Sequence, residues 1–286
     1  MSAETHPQTP QTSEPRAAPE QTPAQAAPQL RLNGISKSFR RPKGGRQQIL
    51  VDVSCEIADG EFVAVIGPSG SGKSTLLRIL AGLETPDRGQ VSLSGEPVRR
   101  PTRGMGMVFQ QHVLLPWLSA KGNVLFALEA AGTSANTAEE REAIADRWLE
   151  RVGLTEAADL KPAQLSGGMA QRVGIARAFA LDSEVLLLDE PLGALDALTR
   201  YSLQQQLLSL SEHERRTFVL VTHDVDEALL LADRVLVLSH GPSASIQAEL
   251  DVPFARPRDR EVIEADPAYL ELRRGLHHAL IPESED

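Results

Sequence analysis

Gly67-Pro68-Ser69-Gly70-Ser71-Gly72-Lys73-Ser74-Thr75 decides how this chain must fold. The stretch satisfies the pattern G-x-x-x-x-G-K-[ST]. Phe62 to Ile66, just before it, is an unbroken apolar run, which reads as a strand buried on both faces. A helical pattern follows from about Lys73 to Ala81 and stops at Gly82. A strand, a glycine loop and a helix in that order place consecutive backbone N–H groups at a helix N-terminus, a ring of donors for phosphate. The glycines let backbone approach a ligand without a Cβ in the way. Lys73 brings a cation to the outer phosphates, and the Ser74 hydroxyl suits Mg²⁺.

Outward from that loop, Val185–Leu188, Phe218–Val221 and Val235–Leu238 repeat the short apolar run, and helical patterns separate several of them. That alternation predicts a parallel sheet wrapped by helices. Val51, Val53, Cys55 and Ile57 alternate with Asp52, Ser54 and Glu56, the period of a half-buried strand. Cys55 is expected to be an ordinary core thiol on its apolar face. Between about Gln111 and Ala180 the pattern turns helical. Thr137 and Glu140 form a capping-box signal, and Ile144, Trp148 and Val152 recur at four-residue spacing with Leu149 beside them, so Trp148 reads as a core anchor. Residues 1–28 are Pro, Gln, Thr and Ala with almost no large apolar side chain, a composition expected of a disordered tail. Residues 241–286 read as a small C-terminal appendage.

The formal net charge of −10 over 286 residues argues against a nucleic-acid partner, whose binding surface is usually basic. One cysteine excludes an intrachain disulfide framework. No apolar run approaches the roughly 20 residues that span a bilayer, and the polar first residues predict no signal peptide.

Two further elements carry chemistry. Val185-Leu186-Leu187-Leu188-Asp189-Glu190 is a strand with paired carboxylates at its C-terminal end, where ligands gather in open α/β sheets. Asp189 suits the Mg²⁺ shell, and Glu190 a general base acting on water. Leu165-Ser166-Gly167-Gly168-Met169 opens a helix, so Ser166, Gly167 and Gly168 offer a second anion site of free N–H groups, positive dipole end and hydroxyl.

These motifs, with Gly193-Ala194-Leu195-Asp196 and Val221-Thr222-His223-Asp224, resemble the ATP-binding cassette (ABC) transporter ATPases from about Leu30 to Leu238. The resemblance implies an α/β fold: a RecA-like P-loop NTPase core of parallel strands, an antiparallel β edge and an inserted helical subdomain over about 111–180, within a domain spanning 29–240. It implies ATP and Mg²⁺ at Gly67 to Thr75, with Gln110 touching the metal and sensing the γ-phosphate. His223 would contact the γ-phosphate, and Asp196 would lie at a dimer seam. Phe39 is the candidate for stacking on adenine, with a core role open beside it. Met169 stands where many members have glutamine, and Phe39 where tyrosine is commoner.

The resemblance further implies two cassettes joined head to tail, ATP between the loop of one and Ser166–Gly168 of the other. It implies permease subunits, a periplasmic solute-binding protein reached through them, and a peripheral place on the cytoplasmic face of a bacterial inner membrane. Gln110-Gln111-His112-Val113-Leu114-Leu115-Pro116-Trp117-Leu118 resembles the region that receives a permease helix. Leu114 and Leu115 fit that groove or the subdomain core equally, and Trp117 fits the interface better. LLPW, DEPLGALDALTR and THDVDEALLLADRV, with Val252-Pro253-Phe254-Ala255-Arg256-Pro257-Arg258, are similar to importers of nitrate, taurine and other sulfonates, with a lean to sulfonates. Competing classes are a soluble cassette ATPase of DNA repair or translation, a P-loop small-molecule kinase and a non-catalytic cassette. The acidic charge, the Ser166–Gly168 motif, and Lys73 with Glu190 and His223 argue against them in turn.

Overall fold

The structure of the protein, a computed structural model, describes residues 29–42, 44–111, 113–132, 137–193, 195–213 and 216–280. The tail expected over residues 1–28 lies outside them, as do His112 and Ala194 of the quoted motifs.

In chain order the elements are β1 (Leu30–Arg40), β2 (Arg46–Ile57), β3 (Phe62–Ile66), α1 (Lys73–Leu80), β4 (Arg88–Leu93), β5 (Glu96–Pro97), β6 (Met105–Val108), α2 (Ala120–Ala131), α3 (Ala138–Arg151), α4 (Gly167–Ala180), β7 (Val185–Asp189), α5 (Ala197–His213), β8 (Thr217–Val221), α6 (Val225–Leu231), β9 (Arg234–Leu238), β10 (Ile246–Asp251), α7 (Arg260–Ala265) and α8 (Pro267–Leu280). The main sheet runs β10-β9-β3-β8-β7-β6, parallel from β9 to β6, with β10 antiparallel at the edge. A second, antiparallel sheet has the order β2-β1-β4-β5.

The unbroken apolar runs follow from the sheet's two covered faces. Phe62, Ala64 and Ile66 join a core with α2 to α6 and α8, while Val63 and Val65 join another with α1 and the antiparallel sheet. Phe62 stacks on Phe218 with centroids 4.9 Å apart, Phe179 lies 6.1 Å from Phe218, and Trp148 lies 5.4 Å from Phe179. This row of rings ties the helical region to the sheet and adds about 1 kcal/mol per pair beyond the area it buries. Trp148 is the core anchor that its spacing predicts, at 3 % exposure. The capping box forms as expected: Glu140 N–H donates to Thr137 Oγ1 (3.1 Å), and Thr137 N–H to Glu140 Oε2 (3.2 Å).

Three expectations change. The alternation in β2 breaks at Asp52, whose φ of 50° accompanies a register shift between the Ile35–Val53 and Lys37–Leu50 pairs. Val53 and Ile57 face the core with Cys55 beside them, but Val51 turns outward. The helices expected from about Gln111 begin only at Ala120, because residues 113–119 carry no regular element. Residues 241–280 are not a peripheral appendage. β10 extends the main sheet, and Val252, Ile263, Tyr269 and Leu276 are buried in its core. Among the described residues no helix is long and apolar enough to cross a membrane.

Candidate nucleotide site

The glycine loop leaves the C-terminal end of β3 and becomes the first turn of α1. Gly72, the N-cap of α1, has φ 91°, and a Cβ there would fall 2.7 Å from Ile49 Cγ2 and 2.9 Å from Leu50 Cδ2. Only glycine fits. Gly70 has φ 81° and nothing within 4 Å of a Cβ position, so the loop is open on that side. Lys73 Nζ donates to Gly67 O (2.8 Å) and Pro68 O (3.0 Å), and Ser71 N–H donates to Pro68 O (3.2 Å), which ties the loop into a ring. Burial pulls the Lys73 ammonium below its ordinary range, while Glu190 and Asp189 oppose that.

Strand order decides what meets the loop. β8 is hydrogen-bonded between β3 and β7, so the ends of three adjacent strands carry the loop, His223 and the Asp189–Glu190 pair. Ser74 Oγ donates to Asp189 Oδ1 at 2.9 Å. Burial pushes the Asp189 carboxyl up, and the Ser74 hydrogen bond holds it down. Glu190 has φ 44°, held by its N–H to Val221 O (2.9 Å). This left-handed backbone costs a non-glycine residue about 1–2 kcal/mol. Its carboxylate accepts from Gln110 Nε2 (3.0 Å), just past β6, and lies 3.6 Å from His223 Nδ1.

Phe39, Ile49, Ser69, Gly70, Gly72, Lys73, Ser74, Thr75, Gln110, Glu190 and His223 line one cleft of about 570 Å³. Phe39 is 39 % exposed with Lys37 Nζ 5.1 Å from its ring centroid, which places it at the cleft wall and not in the core. Ser166, Gly167, Gly168 and Asp196 do not line this cleft. Ser166 caps α4 by accepting from Met169 N–H (3.2 Å), and a Cβ on Gly167 would meet nothing within 4 Å. Asp196 Oδ1 accepts from Thr199 N–H (3.0 Å) at the start of α5.

The donor set fits a magnesium nucleotide. Ser74 and Asp189 supply hard oxygens, and no group of three His, Cys, Asp or Glu among the described residues could hold a metal alone. A cation that keeps its waters and shares phosphate oxygens needs no more than this. Two neighbours, Ile49 and Glu227, have no role in a motif-based reading, and Gly193 belongs to a quoted motif without a role of its own there. Ile49 completes the wall beside Phe39, and a Cβ on Gly193 would come 3.8 Å from Glu190 Oε2 and 3.9 Å from His223 Cε1. Glu227, in the first turn of α6, is buried and accepts from the Thr222 hydroxyl beside His223. Only the T-H-D-x-x-E spacing hints at Glu227, and nothing in the sequence hints at Ile49.

The ABC transporter family profile matches residues 50–193. The chain is 48 % identical over 244 residues to the nitrate import ATP-binding protein NrtD of Synechococcus elongatus, covering 85 % of this chain and 88 % of that one. It is 46 % identical over 246 residues to the bicarbonate transport ATP-binding protein CmpD of the same organism, covering 86 % and 88 %. The dimeric post-hydrolysis ATP-binding cassette MJ0796 bound to ADP and Pi superposes with a TM-score of 0.72 at 35 % identity, over 79 % of this chain and all of that one. With the loop, the paired carboxylates and the histidine converging on one cleft, the chain belongs to the ABC transporter family, as the ATP-binding, ATP-hydrolysing subunit of an importer.

Proposed function

We propose that this chain hydrolyses ATP at the Gly67–Thr75 cleft to drive import of a small oxoanion of the nitrate and bicarbonate kind. The observation that carries the chemistry is the convergence of Gln110 and His223 on the Glu190 carboxylate, above a loop closed by Lys73. Loop N–H groups and Lys73 bind the phosphates, and Phe39 stacks on the base. Glu190 takes the proton of the attacking water, Gln110 orients that carboxylate, and His223 faces the γ-phosphate. Ser74, Asp189 and Gln110 would hold Mg²⁺, which would supply charge stabilisation to the phosphates.

Ser166, Gly167 and Gly168 complete the site of a second copy, with Asp196 at the seam. Ser166, Gly167 and Asp196 are exposed, Gly168 is half-buried, and none of them lines the chain's own cleft, which supports that reading. Trp117, 67 % exposed, meets the permease, and half-buried Leu114 packs towards the subdomain core beneath it. A periplasmic solute-binding protein delivers the cargo, and the cassette sits on the cytoplasmic face of the inner membrane.

The nitrate and bicarbonate names of the relatives support the oxoanion, and the lean to sulfonates finds no support among them. The test is uptake into proteoliposomes holding this cassette, its permease and binding protein, with ATP on the cassette side. Nitrate or bicarbonate uptake is expected. Taurine uptake alone would move the cargo to the sulfonates, and export would overturn the importer reading.

A further inference from the structure

His223 lies in a three-residue link between β8 and α6, and both its neighbours are fastened to α6. The Thr222 hydroxyl donates to Glu227, and the Asp224 carboxylate accepts from the N–H groups of Asp226 (2.9 Å) and Glu227 (3.1 Å). The position of His223 is therefore the position of the first turn of α6. That helix has seven residues, too few to be stable by its own hydrogen bonds. Its orientation comes from what grips it.

The C-terminal segment grips both ends. At the first turn, the Asp226 carboxylate accepts from Tyr269 Oη (2.7 Å), Arg273 Nε (2.6 Å) and Arg273 Nη2 (3.2 Å), all from α8. At the last turn, Arg258 Nη1 donates to Leu230 O (3.1 Å) and Ala232 O (2.7 Å), and Arg256 Nη2 to Leu231 O (2.8 Å). Both guanidiniums also bond Asp233 Oδ1, whose other oxygen accepts from Phe62 N–H (2.9 Å) at the start of β3. Cations at a helix C-terminus oppose its negative dipole end. The Arg258 side chain is 1 % exposed, so this grip is part of the packed interior, whereas Arg273 is 44 % exposed.

We propose that residues 252–280 form a clamp that positions His223 through α6, with Arg258, Tyr269 and Arg273 as its positioning residues. The motif Phe254-Ala255-Arg256-Pro257-Arg258 supplies one jaw and α8 the other. The proposal rests on the reading of His223 as the γ-phosphate contact. A loosened clamp would displace His223 and spare the loop and Phe39, so turnover should suffer and nucleotide affinity should not.

The test measures ATP turnover by the purified full chain. Arg273→Gln is expected to lower kcat about fivefold with KM for ATP within about twofold of wild type. Asp226→Asn should do the same, the double variant no more than either single one, and Arg273→Lys should recover part of the loss. His223→Ala keeps the two ideas apart, with an expected fall in kcat of about a hundredfold or more. If His223→Ala leaves kcat intact, the underlying reading fails. If His223→Ala abolishes turnover while Arg273→Gln lowers only the melting midpoint, or the two single effects multiply, the clamp has no part in positioning and the proposal is overturned.

Discussion

The glycine-bearing N-termini of α1 and α4 offer similar chemistry, and they are furnished very differently. At α1, Lys73, Ser74, Glu190, Gln110 and His223 crowd round the loop in one cleft, with buried Asp189 bonded to Ser74. At α4, Ser166 and Gly167 are exposed, and the only hydrogen bond to the Ser166 side chain among the described residues is its own helix cap. Donors with no charged group hydrogen-bonded to the Ser166 side chain among the described residues make half of a site. The contrast supports a reaction centre assembled from two copies, the loop of one supplying the chemistry and α4 of the other closing it.

The sharpest break would come at the loop. Lys73→Ala should cost a thousandfold or more in kcat/KM, on the order of 4 kcal/mol of transition-state binding. Turnover within tenfold of wild type would show that the chemistry lies elsewhere. Gly167→Asp attacks the other N-terminus, where a side chain meets open space and an acid suits the helix start, so folding should be spared. It should lower turnover about a hundredfold while a single chain still binds ATP, since only the closing half is damaged. Mixing Lys73→Ala chains with Gly167→Asp chains should restore part of the activity, because one site of each mixed dimer is then intact. No recovery at any ratio would break the shared-site reading.

Phe39→Ala sharpens the comparison at the base-binding wall and should raise KM for ATP about tenfold, the worth of one stacked base, with kcat little changed. An unchanged KM would leave Phe39 without a ligand.

The smallest effect is on stability. Burial pushes the Glu227 carboxyl from 4.5 to about 7, against the Thr222 hydrogen bond that lowers it. The folded state therefore holds this proton more tightly than the unfolded chain. Its stability contribution is full below pH 4.5 and is lost as pH rises to about 7. Glu227→Gln should remove that part of the pH dependence, a few degrees in melting midpoint across the window. Identical slopes in the two proteins would show that the carboxyl is ionised throughout.

What the sequence revealed and what it hid divide along the same physical line. The parallel core was legible because strands buried on both faces must be apolar throughout, as Phe62–Ile66 and Val185–Leu188 are. The loop was legible because its glycines, lysine and hydroxyl are set by ligand chemistry. Val51 misled because a single left-handed residue, Asp52, shifts a period-two pattern by one place. The C-terminal segment misled because its polar composition conceals buried work. Arg258 is interior because it caps carbonyls at the end of α6, a pairing that no local pattern records. Phe39 is ambiguous in the sequence because its place at the cleft wall, which Ile49 also lines, depends on the pairing of β1 with β2.

The placing of β8 between β3 and β7 has a consequence of scale. Neighbouring strands lie about 4.8 Å apart because backbone hydrogen bonds set that pitch, so the outer two of three adjacent strand ends stand about 10 Å apart whatever their side chains. The protein thus measures its nucleotide with a ruler ruled by the peptide bond. Substitution can change what is written at each mark, but the interval between marks belongs to the main chain.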